Sequence, residues 1–189
     1  MKFVFGIILI CLVACGAVRI QKSTTGAIQD NEEKILWLPD RKLTWNDFKG
    51  VSRGNRGGIM AETAGEIVTE KSYWLDGVPK FEIHCYFLKN KSWTITSDSL
   101  TLEHEQIHFD IYEVYTRKIR KAFDSLNSIG IIDFKIYENS FNSLLLQNEH
   151  CNERYDNEVR FDRVEQRKWI DSIGMELDRL KAYEYIPEN

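Results

Sequence analysis

Three residues that could act together on a metal ion stand within five positions of the chain. His104, Glu105 and His108 form an HExxH pattern inside the segment LEHEQIHFD. On a helix, residues four positions apart lie about 5–6 Å apart on one face, so both imidazoles can reach one ion at about 2 Å. Glu105 is then placed to act as a general base toward a bound water. The pattern therefore predicts a divalent metal site.

The alternative is accidental spacing on an acidic, exposed helix. HExxH also occurs in many proteins that bind no metal through it, so the pattern by itself does not prove a metal site. From average residue frequencies, however, a chain of this length contains it only about once in some hundreds of sequences. This rarity favours the metal site.

The motif lies in a segment with the pattern of a long helix. Ser97, Asp98 and Ser99 offer N-cap side chains, and the helix is predicted to run from there to about Leu126. Its apolar positions recur at helical spacing on the face that also carries the two histidines, which predicts that the histidines point inward. These positions are Ile107, Ile111, Val114 and Tyr115.

A second helix must supply any third ligand. After a break at residues 127–133, Asn139 or Ser140 could cap a helix that runs from Phe141 to about Tyr183. Its inward face is apolar at both ends and polar from Tyr155 to Gln166. Buried acids are costly unless they are paired or bound to a cation.

Two acids on that polar face, Glu158 and Asp162, are the predicted third ligands. The alternatives are a salt bridge from these acids to Arg117 or Arg120, or a helix phase that is wrong by one residue. Tyr155 is the predicted stabiliser of an oxyanion, ahead of His150, which lies off the face. The remaining histidine, His84, is not assigned as a ligand.

The residues after the motif restrict the kind of site. In HExxHxxGxxH sites positions 111 and 114 would be Gly and His, but they are Ile111 and Val114. This leaves two histidines on one helix and a carboxylate from a later one, as in thermolysin-like zinc sites, with an open position for water. In that arrangement Zn²⁺ polarises a peptide carbonyl, and Glu105 carries the proton from the water to the leaving amine.

The segments before the motif helix have the pattern of strands. Residues 43–48 suggest a short edge strand, and residues 60–74 alternate weakly. Asp76-Gly77 then marks a hairpin turn. In residues 80–95 the apolar alternation is clearer, with Phe81, Ile83, Cys85 and Phe87 on one face. The predicted fold is α+β and zincin-like: an antiparallel sheet, the HExxH helix and a long C-terminal helix.

The N-terminus has the layout of a bacterial lipoprotein signal. One lysine precedes an apolar run from Phe3 to Ala14, and residues 12–15, LVAC, match a lipobox in which Cys15 would carry the lipid. The alternative is an ordinary secretory signal cut a few residues later. The predicted organisation is a signal at residues 1–14, a tether at 15–34, the folded domain at 35–183 and a tail at 184–189. The protein would then sit in the cell envelope, lipid-anchored to a membrane surface.

The net charge bears on possible nucleic-acid binding, and the cysteine content bears on possible disulfides. The net charge of −4 provides no basic footprint for nucleic acid, and Arg53 and Arg56 suggest a solvated loop. After removal of the signal and lipidation, Cys85 and Cys151 remain. They form either one disulfide or two free thiols.

The motifs together resemble a family of secreted bacterial proteins of unknown function that are predicted to be zinc-dependent proteases. The matching pieces extend from about residue 36 to 180. They are LTWNDFKG at residues 43–50, Ser92-Trp93, HEQIHFDI at 104–111, Arg117, YDNE at 155–158, Gln166 and Trp169. The resemblance implies a secreted zinc protease.

One departure from that family matters. The resemblance implies a Thr-x-His soon after the YDxE piece, whereas this chain has Val159, Arg160 and Phe161. If the family's third ligand is that histidine, either Glu158 or Asp162 replaces it here or the site binds metal weakly.

The principal functional hypothesis is an envelope-anchored zinc peptidase acting on a peptide or protein substrate. The alternative is a catalytically inactive envelope lipoprotein that binds a peptide or protein partner. A third hypothesis is metal capture without hydrolysis.

Overall fold

The larger sheet is an antiparallel hairpin with one added strand. A computed structural model describes residues 31–52, 58–160 and 162–187. Strand β1 spans Lys34–Leu36, β3 spans Gly65–Leu75 and β4 spans Val78–Leu88. They form one sheet in the order β1-β4-β3. The predicted signal, most of the tether, and Arg53 and Arg56 lie outside the described residues.

The predicted Asp-Gly turn joins β3 to β4. Asp76 and Gly77 both have positive φ, 52° and 78°, which a two-residue hairpin turn requires because its twist must match that of the strands. The weakly alternating residues 60–74 lie mostly in β3, and two residues ahead of it form a separate small ladder. In it β2, Ala61–Glu62, pairs with β5, Trp93–Thr94.

The apolar face of β4 packs against the helices, as its alternation predicts. Ile83 contributes to one buried cluster, and Cys85 and Phe87 to another. The opposite face is also covered, because the ring of Tyr185 lies 4.5 Å from that of His84 and Lys34 lies over Tyr86. Part of the predicted C-terminal tail is therefore packed on the sheet.

The predicted short strand at residues 43–48 is wrong. This segment contains a 3₁₀ turn at Trp45–Asp47, in which the Asp47 carboxylate accepts bonds from the Thr44 N–H and hydroxyl. Arg41 holds the same carboxylate from the other side. Side chain to backbone bonds of this kind compete with strand pairing.

The motif helix matches its prediction closely. Helix α1 spans Ser99–Ser128, and its N-cap is Asp98, whose carboxylate accepts from the Thr101 N–H at 2.8 Å. The chain then turns at Gly130, whose φ is 74°.

The single helix predicted from Phe141 to Tyr183 is wrong. Helix α2 spans Phe134–Val159 and is capped by Asp133, not by Asn139 or Ser140. It ends at Arg160, where φ is 43°. Helix α3 then spans Arg163–Arg179. The break contains neither proline nor glycine, so the sequence offered no strong signal for it.

Buried charges tie α1 to the rest of the domain. The Arg117 guanidinium donates to Glu113 at 2.8 Å, to the Leu177 carbonyl and to Glu184. Arg120 donates to the Ile83 carbonyl in β4 and to the Tyr183 carbonyl. One helix thus connects the sheet, α3 and the C-terminal segment.

The fold is α+β: a small antiparallel sheet followed by three helices. Cys85 is buried and Cys151 half-buried, and both are free thiols, so the disulfide is not formed. Within the described residues, no helix combines the length and apolar character needed to cross a membrane.

The contact between β3 and α1 makes a testable prediction about glycine. A Cβ on Gly65 would overlap the Tyr112 ring, whereas one on Gly174 in α3 would meet nothing within 4 Å. We expect Gly65→Ala to lower the free energy of unfolding by about 1–3 kcal/mol because the core must shift. The matched control, Gly174→Ala, should raise it by about 0.5–1 kcal/mol. Urea unfolding measures both, and an unchanged Gly65→Ala midpoint would contradict the packing.

Candidate metal centre

Helix α1 brings the two histidines of the motif together on one face. The Nε2 atoms of His104 and His108 lie 3.2 Å apart. His108 is nearly enclosed, with 11% of its side chain exposed, and His104 lies nearer the surface. The i, i+4 spacing therefore produces the convergence that the sequence predicted.

A carboxylate from α2 completes the cluster. Oδ1 of Asp156 lies 2.9 Å from Nε2 of His108 and 3.1 Å from Nε2 of His104. Three ligand atoms of a tetrahedral zinc site, each about 2.0–2.1 Å from the ion, stand roughly 3.3 Å apart. The three separations are close to that value, so these residues fit a metal ion.

The predicted ligands Glu158 and Asp162 do not lie with the histidines. Glu158 accepts a bond from the Trp169 indole and pairs with Arg154. Asp162 lies beyond the end of α2 and caps α3, accepting from the N–H groups of Val164 and Glu165. The proposed salt bridges to Arg117 or Arg120 are also absent among the described residues, since both arginines pair with Glu113.

The prediction of these ligands failed because the assumed phase of the helix was wrong by one residue. The face traced through Asn148, Cys151, Tyr155 and Glu158 is rotated from the row that meets the histidines. That row is Asn148, Asn152 and Asp156, spaced four apart, and it faces His108. The repeated polar residue at every fourth position of α2 was the available signal.

Mutual attraction sets the charges of the cluster. Burial alone would raise the pKa of Asp156, but hydrogen bonds from His104 and His108 outweigh it and hold that pKa well below its usual value. For His108, burial alone would lower the pKa, and the Asp156 carboxylate, Glu105 and Asn152 raise it. Each partner therefore stabilises the charged form of the other.

Glu105, the acid of the HExxH motif, is buried and has one oxygen without a hydrogen-bond partner in the part of the chain that the structure describes. Its residue is only 3% exposed, and Oε2 has no hydrogen-bond partner among the described residues. Burial raises the pKa of its carboxyl, and the nearby His108, a hydrogen bond with Thr63 and the nearby His104 partly offset this effect. A buried carboxyl with a raised pKa and an unpaired oxygen is suited to accept and release a proton.

Tyr155 supports the histidines but does not fit the predicted oxyanion role. It is completely buried, its ring stacks on His104 at 4.5 Å, and its edge meets His108 at 4.9 Å. Its hydroxyl is directed at the main-chain carbonyl of His104 at 3.5 Å. The side chain therefore positions the two imidazoles.

The other polar residues of the motif segment are structural. Asp110 accepts bonds from the Trp37 indole at 2.7 Å and from the Gln106 amide at 2.9 Å. Gln106 in turn accepts from the N–H of Leu43. These contacts hold the segment after β1 against α1, next to the turn of the helix that carries the histidine pair.

The cluster opens to solvent on the α2 side. The Asp156 side chain is 57% exposed, in contrast with the enclosed histidine beside it. His150 is exposed on α2, and His84 is buried on the sheet. Neither joins the cluster, which consists of His104, His108 and Asp156.

A second surface feature lies away from the cluster. An apolar cleft of about 400 Å³ lies between β3, β4 and the start of α2. Its aromatic walls are Phe81, Phe123, Phe134, Tyr137 and Phe141. Clefts of this size are common sites for ligands, so it is a separate candidate for binding.

Comparison of the chain with protein-family models, with curated proteins and with solved structures finds no match. The resemblance to secreted bacterial proteins therefore stays a prediction based on the motifs.

The geometry predicts which carboxylate matters for metal binding. Asp156→Asn should weaken Zn²⁺ binding by more than about 100-fold, because loss of a direct ligand exceeds the roughly 10–100-fold effect of indirect partners. Glu158→Gln and Asp162→Asn are the matched controls and should bind as the wild type does. Competition with a fluorescent chelator measures all three. Loss of binding in a control but not in Asp156→Asn would contradict the assignment.

Proposed function

We propose that the protein is a zinc-dependent peptidase with a zincin-like site. The observation that carries the proposal is the convergence of two imidazole nitrogens and one carboxylate oxygen within 3.2 Å of one another. Two histidines on one helix and an acid from a later helix are typical of catalytic zinc sites that keep one position open.

The ligands would be His104, His108 and Asp156. When bound, Zn²⁺ activates a water molecule at neutral pH and polarises a carbonyl oxygen. The exposed side of Asp156 leaves room for a substrate to approach. The enclosed His108 and the stacked Tyr155 hold the opposite side rigid.

Glu105 would move the proton. It is adjacent to His104 in the chain, and burial raises the pKa of its carboxyl above that of an ordinary glutamate. A carboxylate in this state accepts a proton from water and donates it to the departing amine. The unpaired Oε2 is the atom proposed for this transfer.

Asp156 also supplies a third ligand in place of the histidine that the resemblance implies. The chain lacks the Thr-x-His that the resemblance implies, but Asp156 belongs to the YDNE piece that is present. The proposed site therefore needs no residue from positions 159–161. The proposal further places the protein in the cell envelope, anchored through lipid on Cys15, on the strength of the lipobox pattern.

Glu105→Gln tests catalysis separately from metal binding. We expect Zn²⁺ binding to be retained and hydrolysis of casein or a peptide library to fall by about 10²–10⁴-fold, because the general base is lost. Thermal stability should be unchanged or higher, since the charge of a buried carboxylate is removed. Glu153→Gln, an exposed position on α2, is the control.

The result also separates the remaining hypotheses. Equal activity in Glu105→Gln and the wild type would contradict the general-base role. Stoichiometric zinc without any hydrolysis would favour metal capture. Metal analysis of the purified protein is needed in either case, because two histidines and a carboxylate can also hold Fe²⁺.

A second candidate function is the binding of a peptide or protein partner without catalysis. The apolar cleft favours it, because the nearby Trp74 and Phe134 are exposed, with their ring centroids 5.9 Å apart. Exposed aromatic groups beside an apolar cleft are typical of binding surfaces.

The two functions make opposite predictions in cells that depend on the protein. If it is a peptidase, the double variant His104→Ala, His108→Ala should fail to support growth, whereas Phe134→Ser should support it. If it is a binding protein, Phe134→Ser should fail and the double variant should succeed. Equal amounts of each variant, checked by immunoblotting, are required for the comparison.

A further inference from the structure

The amide of Asn152 lies directly behind His108. Its Oδ1 is 2.8 Å from Nδ1 of His108. Its Nδ2 is 2.9 Å from the main-chain oxygen of Asn148 and 3.2 Å from the side-chain oxygen of that residue. Both partners of Nδ2 are acceptors, so the nitrogen must be at that end of the amide and the oxygen must face the histidine.

This orientation determines which nitrogen of His108 carries hydrogen. An amide oxygen can only accept, so Nδ1 of His108 must donate to it. In the neutral ring Nε2 then has a lone pair, and this lone pair faces Oδ1 of Asp156 at 2.9 Å. Two acceptors at that distance repel each other unless a cation lies between them or a proton joins them.

We propose that Asn152, held in place by Asn148, is a positioning residue that fixes His108 with Nε2 directed at the metal. The inference deepens the proposed function and rests on it. Histidines that bind metals donate their other N–H to an acceptor in this way, which sets the tautomer and the direction of the ring. Asn152 itself does not touch the metal position.

The support for Asn152 extends back to the sheet. Asn148 is 2% exposed. A buried amide lowers the stability of the fold unless it is hydrogen-bonded. It interacts with the hydroxyl of Tyr112, and the ring of Tyr112 lies against the backbone of Gly65 in β3. The orientation of His108 is therefore set by a series of contacts that begins in the sheet and passes through α2.

Asn152→Leu should remove the acceptor while preserving the size of the side chain. We expect it to weaken Zn²⁺ binding by about 10–100-fold, the usual effect of losing such a partner. Asn152→Asp should recover part of the affinity lost in Asn152→Leu, because its carboxylate accepts the same N–H of His108 while its second oxygen loses the two bonds to Asn148. Asn142→Leu, at an exposed position of α2, is the control, and circular dichroism of each purified full-length protein confirms folding.

Nitrogen-15 NMR of the histidine rings supplies a readout that a merely structural role would not change. In the zinc-loaded wild type and in Asn152→Asp, Nδ1 of His108 should be protonated and protected from exchange with water. In Asn152→Leu that protection should be lost. Zinc affinity in Asn152→Leu within about twofold of the wild type, with an unchanged His108 signal, would overturn the inference and leave the peptidase proposal standing. A wild type that binds no Zn²⁺ would overturn both.

Discussion

The buried ion cluster on α1 is the constraint on which the rest of the domain depends. Arg117 and Arg120 share the Glu113 carboxylate, and their remaining N–H groups bond to carbonyls in β4, α3 and the C-terminal segment. Removal of one member of such a cluster leaves a buried charge unpaired, at a cost of about 3–5 kcal/mol. The cluster thus fixes α1 relative to the sheet, α3 and the C-terminal segment, and the histidines are carried on that same helix.

Helix α1 carries two of the three residues of the candidate metal centre, and its packing against α2 supplies the third. Tyr155 is the contact that sets this packing, because its ring lies against both His104 and His108 and also meets Trp169 of α3. The next residue in the chain is Asp156, so the contact that buries the tyrosine brings the carboxylate to the imidazoles. Core packing and ligand placement are therefore one feature of α2.

Local patterns predicted what depends on local physics. The convergence of the two motif histidines, an N-cap within residues 97–99, the Asp76-Gly77 turn and the alternation in β4 each rest on neighbouring residues, and the structure has each of them. The end of α2 and the identity of the acid that joins the two histidines depend on tertiary packing. Arg160 ends a helix without proline or glycine, and a shift of one residue exchanges Asp156 for an acid on another face. The end of α2 left no local signal. The rotation of α2 was indicated only weakly, by the polar residues at positions 148, 152 and 156, because apolar residues recur on a broad face and fix the phase of a helix only to within about one residue.

The distribution of polar groups also separates structure from chemistry within one motif. Gln106 and Asp110 have their hydrogen bonds satisfied by Leu43 and Trp37, so they serve the fold. Glu105, next to His104 in the chain, is also buried, yet among the described residues its Oε2 has no hydrogen-bond partner. A buried oxygen without a partner costs stability, and costs of this kind are found at functional sites. The contrast with Gln106 and Asp110 therefore supports the role in proton transfer that we propose for Glu105.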